Sequence, residues 1–114
     1  MLTIDALKDY GANVEEGLAR CVNKESLYLR LVKTVPVHEG FNKLYEAIKN
    51  HDLEEAFQCA HGLKGAVTNL SLTPLVEPIV KITELLRAKQ DIEYTDLLNQ
   101  IEENRLKLAN ICAD

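Results

Sequence analysis

The spacing of the apolar residues constrains the fold most, because they recur at intervals of three and four along nearly the whole chain. The β-branched residues form none of the alternating patterns typical of strands, and only five glycines and three prolines interrupt the 114 residues. Since a helix turns once in about 3.6 residues, this spacing lines up apolar side chains along one face of each segment. The sequence therefore predicts an all-α fold.

Helix-capping residues divide the beginning of the chain into two short segments. The first helix is predicted from Thr3 to Asp9. Asn13 followed by Glu16 has the spacing of a capping box, and it predicts a second short helix that ends near Cys21.

A longer apolar pattern opens at Asn23 and ends at Asn50 and His51, with Pro36 in its middle. We expect a kink or a brief break there, because proline cannot donate to the helical hydrogen-bond ladder.

The second half of the chain repeats such patterns. Asp52 with Glu55 forms another capping box, for a helix from about Leu53 to Leu70. Thr73 is predicted to cap the next helix, with Pro74 at its first position, where a missing N–H costs nothing.

Pro78 lies one turn further in and is expected to distort that turn, and a last helix is predicted from about Tyr94 to Cys112. Four long amphipathic segments joined by short turns predict an antiparallel four-helix bundle. We expect a single domain covering residues 1–114, with one or two short N-terminal helices across one end of the bundle.

Composition and charge exclude several classes of protein. The 18 acidic residues outnumber the 13 basic ones, giving a formal charge of -5, which disfavours nucleic acid as a partner. No apolar run approaches the roughly 20 residues of a membrane helix, and the first ten residues lack the features of a signal peptide. We expect a cytoplasmic protein, and a monomer because the predicted exposed face is small and polar.

The three cysteines, Cys21, Cys59 and Cys112, are far apart in sequence and form no CxxC pair. We interpret them as small buried or half-buried apolar residues. A zinc site that combines them with His38 or His51 stays open as an alternative, although the usual ligand spacing is absent, and we predict no metal.

Residues 52–71 carry the most informative pattern. His61 follows the core position Ala60 by one residue, which rotates it by about 100° away from the buried face. Its neighbours on the helix surface are Gln58, Lys64 and Gly65, so the histidine is predicted to be exposed beside a cation. The predicted core stripe of this helix consists of Leu53, Ala56, Phe57, Ala60, Leu63, Val67 and Leu70.

Gly62 and Gly65 stand inside this predicted helix, where each glycine costs roughly 1 kcal/mol relative to alanine. One interpretation is that Gly65 lowers the surface beside His61 so that another protein can approach the imidazole. Close helix–helix packing is the alternative, in particular for Gly62.

Histidine suits transfer of a phosphoryl group, because an imidazole with an unperturbed pKa near 6.5 is mostly neutral at pH 7 and offers a nucleophilic nitrogen. The glycines of residues 61–65 match neither of the nucleotide-binding patterns GxxxxGK[ST] and GxGxxG. We therefore expect no ATP site and no self-phosphorylation.

Residues 60–66, AHGLKGA, resemble the signature of histidine phosphotransfer (HPt) domains, commonly AHxLKGxA. The resemblance extends over nearly the whole chain, including residues 10–18, 44–47, 52–56 and 69–70, and it is closest to stand-alone bacterial members. One departure is Ser71, where many members have glycine after the Asn-Leu pair, so the turn geometry there is open.

The resemblance implies a four-helix bundle with His61 exposed on its side and phosphorylated by a receiver domain. It further implies that Lys64 orients the phosphoryl group, with Gln58 in a supporting role, and that Gly65 and Gly62 give the receiver access. The implied protein is a carrier in a two-component phosphorelay rather than an enzyme. Its partners would be response-regulator receiver domains and a hybrid sensor kinase, and Mg²⁺ would come from the receiver, with no cofactor bound stably.

Two alternatives stay open at this point. One is a docking module of the same fold that binds a receiver or a sensor kinase without carrying phosphate. The other is that the chain belongs to a longer sensor kinase, although Met1 and the last residues are those expected of a complete small protein.

Overall fold

The structure is a computed structural model that describes residues 1–113, and it is all-helical over that part of the chain. These residues form seven helices, which are α1 (Ile4–Tyr10), α2 (Val14–Arg20), α3 (Glu25–Lys33), α4 (Gly40–Lys49), α5 (Leu53–Asn69), α6 (Thr73–Arg87) and α7 (Thr95–Cys112).

The last four helices form the bundle. Helix α5 packs against both α4 and α6, and α6 packs against α7, while the short α1 contacts α2 and α7. Each long helix turns an apolar face inward, where packing against the neighbouring helices removes it from water. This arrangement confirms the predicted all-α bundle. Its fully buried side chains include Leu44, Leu63, Leu75, Ile79, Ile101 and Leu108.

The interruption at Pro36 is wider than a kink. Helix α3 ends at Lys33 and α4 begins at Gly40, so three short helices precede the bundle where one or two were predicted. Proline has no N–H and disfavours the helical conformation in the residue before it, which explains why the helix cannot continue. The Pro36 carbonyl accepts a hydrogen bond of 2.9 Å from Nη1 of Arg105, which joins this connection to α7.

The N-caps of both predicted capping boxes are present, but the reciprocal bond of a capping box is replaced, because the Asn13 N–H donates to the Ser71 carbonyl and the Asp52 N–H to the Ala47 carbonyl. Asn13 Oδ1 accepts from the Glu16 N–H at 3.2 Å, and Asp52 Oδ1 accepts from the Glu55 N–H at 3.2 Å. These bonds satisfy N–H groups that the first turn of a helix otherwise leaves without a partner. The prediction that Asp52 opens the central helix of the site is confirmed.

Two predicted helix starts, at Asn23 and at Thr73, differ in the structure. Asn23 lies before α3 with a left-handed φ of 58°, and Lys24 occupies the N-cap position without a side-chain bond. Thr73 is the first residue of α6 rather than its cap, because Leu72 takes the N-cap position and is fully buried. Packing of an apolar residue therefore decides where α6 begins. The helix continues through Pro78 without a break.

A close contact attaches the N-terminal helices to the end of α5. Tyr28 of α3 is fully buried, and its Oη donates to the Leu70 carbonyl at 2.9 Å. Burial raises the pKa of Tyr28 to about 12, so the phenol keeps its proton at neutral pH. Gly17 of α2 lies against this pair with no space for a side chain, since an added Cβ would be 2.6 Å from Tyr28 Cε1.

The structure shows the geometry of the turn at Ser71, which the sequence comparison left open. It is buried and adopts a left-handed φ of 54°, the conformation for which glycine is the usual residue. Its carbonyl accepts from the Asn13 N–H at 2.9 Å, and its Oγ accepts from Arg20 at 3.3 Å. These hydrogen bonds offset the cost of placing serine there.

The cysteine interpretation is confirmed, because Cys21 is buried and Cys59 and Cys112 are half-buried. Across residues 1–113, no group of three or more His, Cys, Asp or Glu side chains is arranged to hold a metal ion. His38 instead accepts a hydrogen bond of 2.9 Å at Nδ1 from the Gly40 N–H, at the start of α4.

None of the helices in this part of the chain is long and apolar enough to cross a membrane.

Candidate functional site

His61 lies near the middle of α5 on its exposed face, while the adjacent Ala60 is fully buried. Neither imidazole nitrogen has a hydrogen-bond or ion-pair partner among residues 1–113. The lone pair of the neutral imidazole is therefore accessible to a reagent that approaches from solvent.

A ring contact orients the histidine. The imidazole stacks on Phe57, one turn earlier in α5, with 5.7 Å between ring centroids and 24° between ring planes. The guanidinium carbon of Arg87 on α6 lies 5.1 Å from the centroid of the Phe57 ring. Phe57 was predicted to belong to the core stripe, but it is only half-buried, because it spans the distance between the core and the site. Stacking restricts the imidazole without occupying its nitrogens.

Lys64 lies one turn after His61 and lines the same surface groove. Its side chain is 33% exposed, and its Nζ lies 3.9 Å from Oε1 of Glu84 on α6. The other carboxylate oxygen of Glu84 lies 3.4 Å from Nε of Arg87. This ion pair is long and partly exposed, so it contributes little to stability. Lys64 can therefore leave Glu84 and pair with a stronger anion at His61 at a small cost in free energy.

Gly62 and Gly65 are both exposed, and a Cβ added to either would meet nothing within 4 Å. Helix–helix packing, which was the alternative interpretation of Gly62, is therefore absent at both positions. Glycine lowers the stability of a helix, and neither glycine packs against another element. We therefore interpret both as residues that keep the surface beside His61 free of side chains.

We expect Gly65→Ala to raise the free energy of unfolding by about 1 kcal/mol, because the methyl group enters open space and alanine favours the helix. Denaturant unfolding measures this gain, and Gly62→Ala should match it. Gly65→Gln is expected to fold as well but to slow phosphoryl transfer from a receiver, since its side chain would stand beside His61. Wild-type transfer by Gly65→Gln would contradict the access role of this glycine.

Gln58 does not join His61 and Lys64. It is exposed and lines a second depression of about 560 Å³ toward the start of α5, together with Phe57 and Arg87. No hydrogen bond links Gln58 to His61 in the part of the chain that the structure describes. The structure thus brings together His61, Lys64 and Gly65 in one groove and leaves Gln58 in the neighbouring one.

The groove also contains a residue that the sequence reasoning missed. It has a volume of about 310 Å³ and is lined by Arg20 of α2 together with residues of α5. The capping pattern places Arg20 at the end of a short helix, but no spacing in the sequence relates it to a histidine 41 positions later. Only the contact between α2 and the end of α5 reveals it. The lining residues are Arg20, His61, Lys64, Gly65, Thr68 and Asn69.

Comparison with known proteins gives a family match. A family model described as Hpt domain matches residues 36–111, which covers the four-helix bundle and the His61 groove but not Arg20. Searches of curated proteins and of solved structures give no significant match.

Proposed function

The chain belongs to the Hpt domain family, and from that premise we propose that it carries a phosphoryl group on His61 between the aspartates of receiver domains. Hpt domains are phosphocarrier modules of phosphorelays rather than conventional enzymes. The observation that carries the assignment to His61 is its exposed imidazole, with both nitrogens unpartnered in the described structure and Lys64 in the same groove.

In the proposed step, one imidazole nitrogen attacks the phosphorus of a receiver aspartyl phosphate. An N–P bond forms as the P–O bond to the aspartate breaks, and the aspartate leaves as a carboxylate. The return step reverses these changes at a second receiver. Phosphoryl transfer passes through a loose transition state, so positioning and charge stabilisation supply most of the catalysis.

The roles that we propose for the neighbouring residues are supported by where each lies relative to His61. Lys64 neutralises and orients the transferred phosphoryl oxygens, and the open surface at Gly65 and Gly62 admits the receiver. Gln58 supports docking from the adjacent depression. The receiver supplies Mg²⁺, and a hybrid sensor kinase is the upstream source of phosphate.

The test is transfer from a receiver charged with acetyl phosphate in the presence of Mg²⁺. Label that is acid-labile and base-stable on this chain supports the carrier function, because a phosphohistidine has that stability. A receiver that binds the chain but never labels it would favour a docking module that does not carry phosphate.

We expect Glu84→Gln to lengthen the half-life of the phosphorylated chain by about twofold to fivefold, within the range of a partly exposed ion pair. The substitution removes the carboxylate that lies 3.9 Å from Lys64 Nζ and so frees Lys64 to hold the phosphoryl group. Decay of the isolated phosphoprotein measures the effect, with Glu77→Gln as the control, since Glu77 is also exposed on α6. Equal half-lives for the two variants would contradict the coupling between Glu84 and Lys64.

A further inference from the structure

Helix α2 lies before the residues that match the family model, yet it contributes Arg20 to the groove that contains His61. The N-terminal helices therefore do more than cover one end of the bundle. They bring a second cation to the surface that a partner must cover to reach the histidine.

Arg20 is held in place by three contacts. Its Nη2 lies 2.7 Å from Oε1 of Glu16, and its Nη1 donates to Ser71 Oγ at 3.3 Å and to the Thr68 carbonyl. A guanidinium has five N–H groups in a fixed fork, so these contacts leave at least two of them for another acceptor. The side chain is 39% exposed, which makes it both ordered and accessible.

The lining of the groove contains two cations, Arg20 and Lys64, and no carboxylate, on a chain whose formal charge is -5. Their partners Glu16 and Glu84 lie outside that lining and are themselves partly exposed, so both ion pairs are weak. An acidic group of a partner that covers the groove can therefore pair with these cations directly. Arginine is suited to this contact, because its fork binds a carboxylate through two parallel hydrogen bonds.

We propose that Arg20 is a docking residue that pairs with a carboxylate at the rim of the receiver's phosphorylation site. The proposal rests on the proposed function, and the receiver is the occupant because Arg20 lines the same groove as the phosphorylated histidine. In this proposal Lys64 contacts the phosphoryl group, whereas Arg20 contacts the receiver that delivers it.

The experiment compares wild type with Arg20→Gln and Arg20→Lys, with Arg30→Gln as the control for loss of an exposed arginine elsewhere. A receiver charged with acetyl phosphate and Mg²⁺ is the donor in one series, at low and high salt. Phosphoramidate, a small donor that needs no docking surface, is used in the other. Denaturant unfolding of each variant reports whether the end of α5 has been destabilised.

We expect Arg20→Gln to lower kcat/KM for transfer from the receiver about fivefold at low salt, through KM, with a smaller loss at high salt. Arg20→Lys should lose less than Arg20→Gln, because it keeps the charge but lacks the fork that makes two parallel hydrogen bonds. Phosphoramidate labelling and the half-life of the phosphohistidine should equal those of wild type.

A wild-type kcat/KM in Arg20→Gln would overturn the proposal. So would an equal loss with phosphoramidate, which would place Arg20 at the phosphoryl group. An equal loss in Arg20→Lys, accompanied by lower stability, would reduce Arg20 to a structural cap of α5. Absence of label on wild type with both donors would instead reject the carrier function itself.

Discussion

Replacement of His61 by glutamine is expected to abolish acid-labile phosphoryl incorporation from a charged receiver. Glutamine keeps the approximate size and polarity of histidine but has no nucleophilic nitrogen at neutral pH. No other histidine lies in the groove, so no neighbouring nitrogen can substitute for it. The measurement is base-stable label on the chain after incubation with the charged receiver and Mg²⁺.

His51→Gln is the matched control. The His51 side chain is 78% exposed and lies away from the groove, where its Nδ1 is 3.7 Å from an Asp91 oxygen. We expect wild-type labelling from this variant. Both variants should fold because neither histidine is buried, and His51→Gln should lose a little stability because residue 51 has a left-handed φ of 56°.

Equal labelling of wild type and His61→Gln by a competent receiver would contradict the assignment of the carrier residue. Stable binding of a receiver to both proteins, without label on either, would support the docking module. In that case the groove would bind a receiver, and the chain would not carry a phosphoryl group.

Gly17→Ala is expected to lower the free energy of unfolding by about 2 kcal/mol, within the usual cost of overpacking a core. An added Cβ would lie 2.6 Å from Tyr28 Cε1, 2.7 Å from Tyr28 Oη and 2.8 Å from the Leu70 carbonyl oxygen. The ring is fully buried and the carbonyl belongs to the backbone, so neither can move aside without disturbing its own packing. Denaturant unfolding measures the loss.

Gly62→Ala provides the opposite control, since the same change in an exposed helix is expected to stabilise the protein. Tyr28→Phe should not rescue Gly17→Ala, because it removes the hydroxyl but leaves the ring carbon and the Leu70 carbonyl in place. A stability for Gly17→Ala at or above wild type would contradict the close packing of α2 against α3 and the end of α5.

Much of the fold follows from local patterns in the sequence. The apolar spacing and the N-caps at Asn13 and Asp52 predicted helices that the structure contains, because the hydrogen bonds of a helix and its cap lie within a few residues. The prediction that Thr73 caps α6 was wrong for the converse reason. Burial of Leu72 sets the start of α6, and propensity alone does not encode that packing.

The same division holds at the site. The sequence by itself determined that His61, Lys64 and Gly65 share one face of a helix, since residues three and four apart are neighbours on its surface. Only the tertiary structure decided that Arg20 lies in the same groove, that Glu84 holds Lys64 and that Gln58 faces another depression. Those contacts join residues far apart in the chain, and they exist because the packed cores of different helices fix where their surfaces meet.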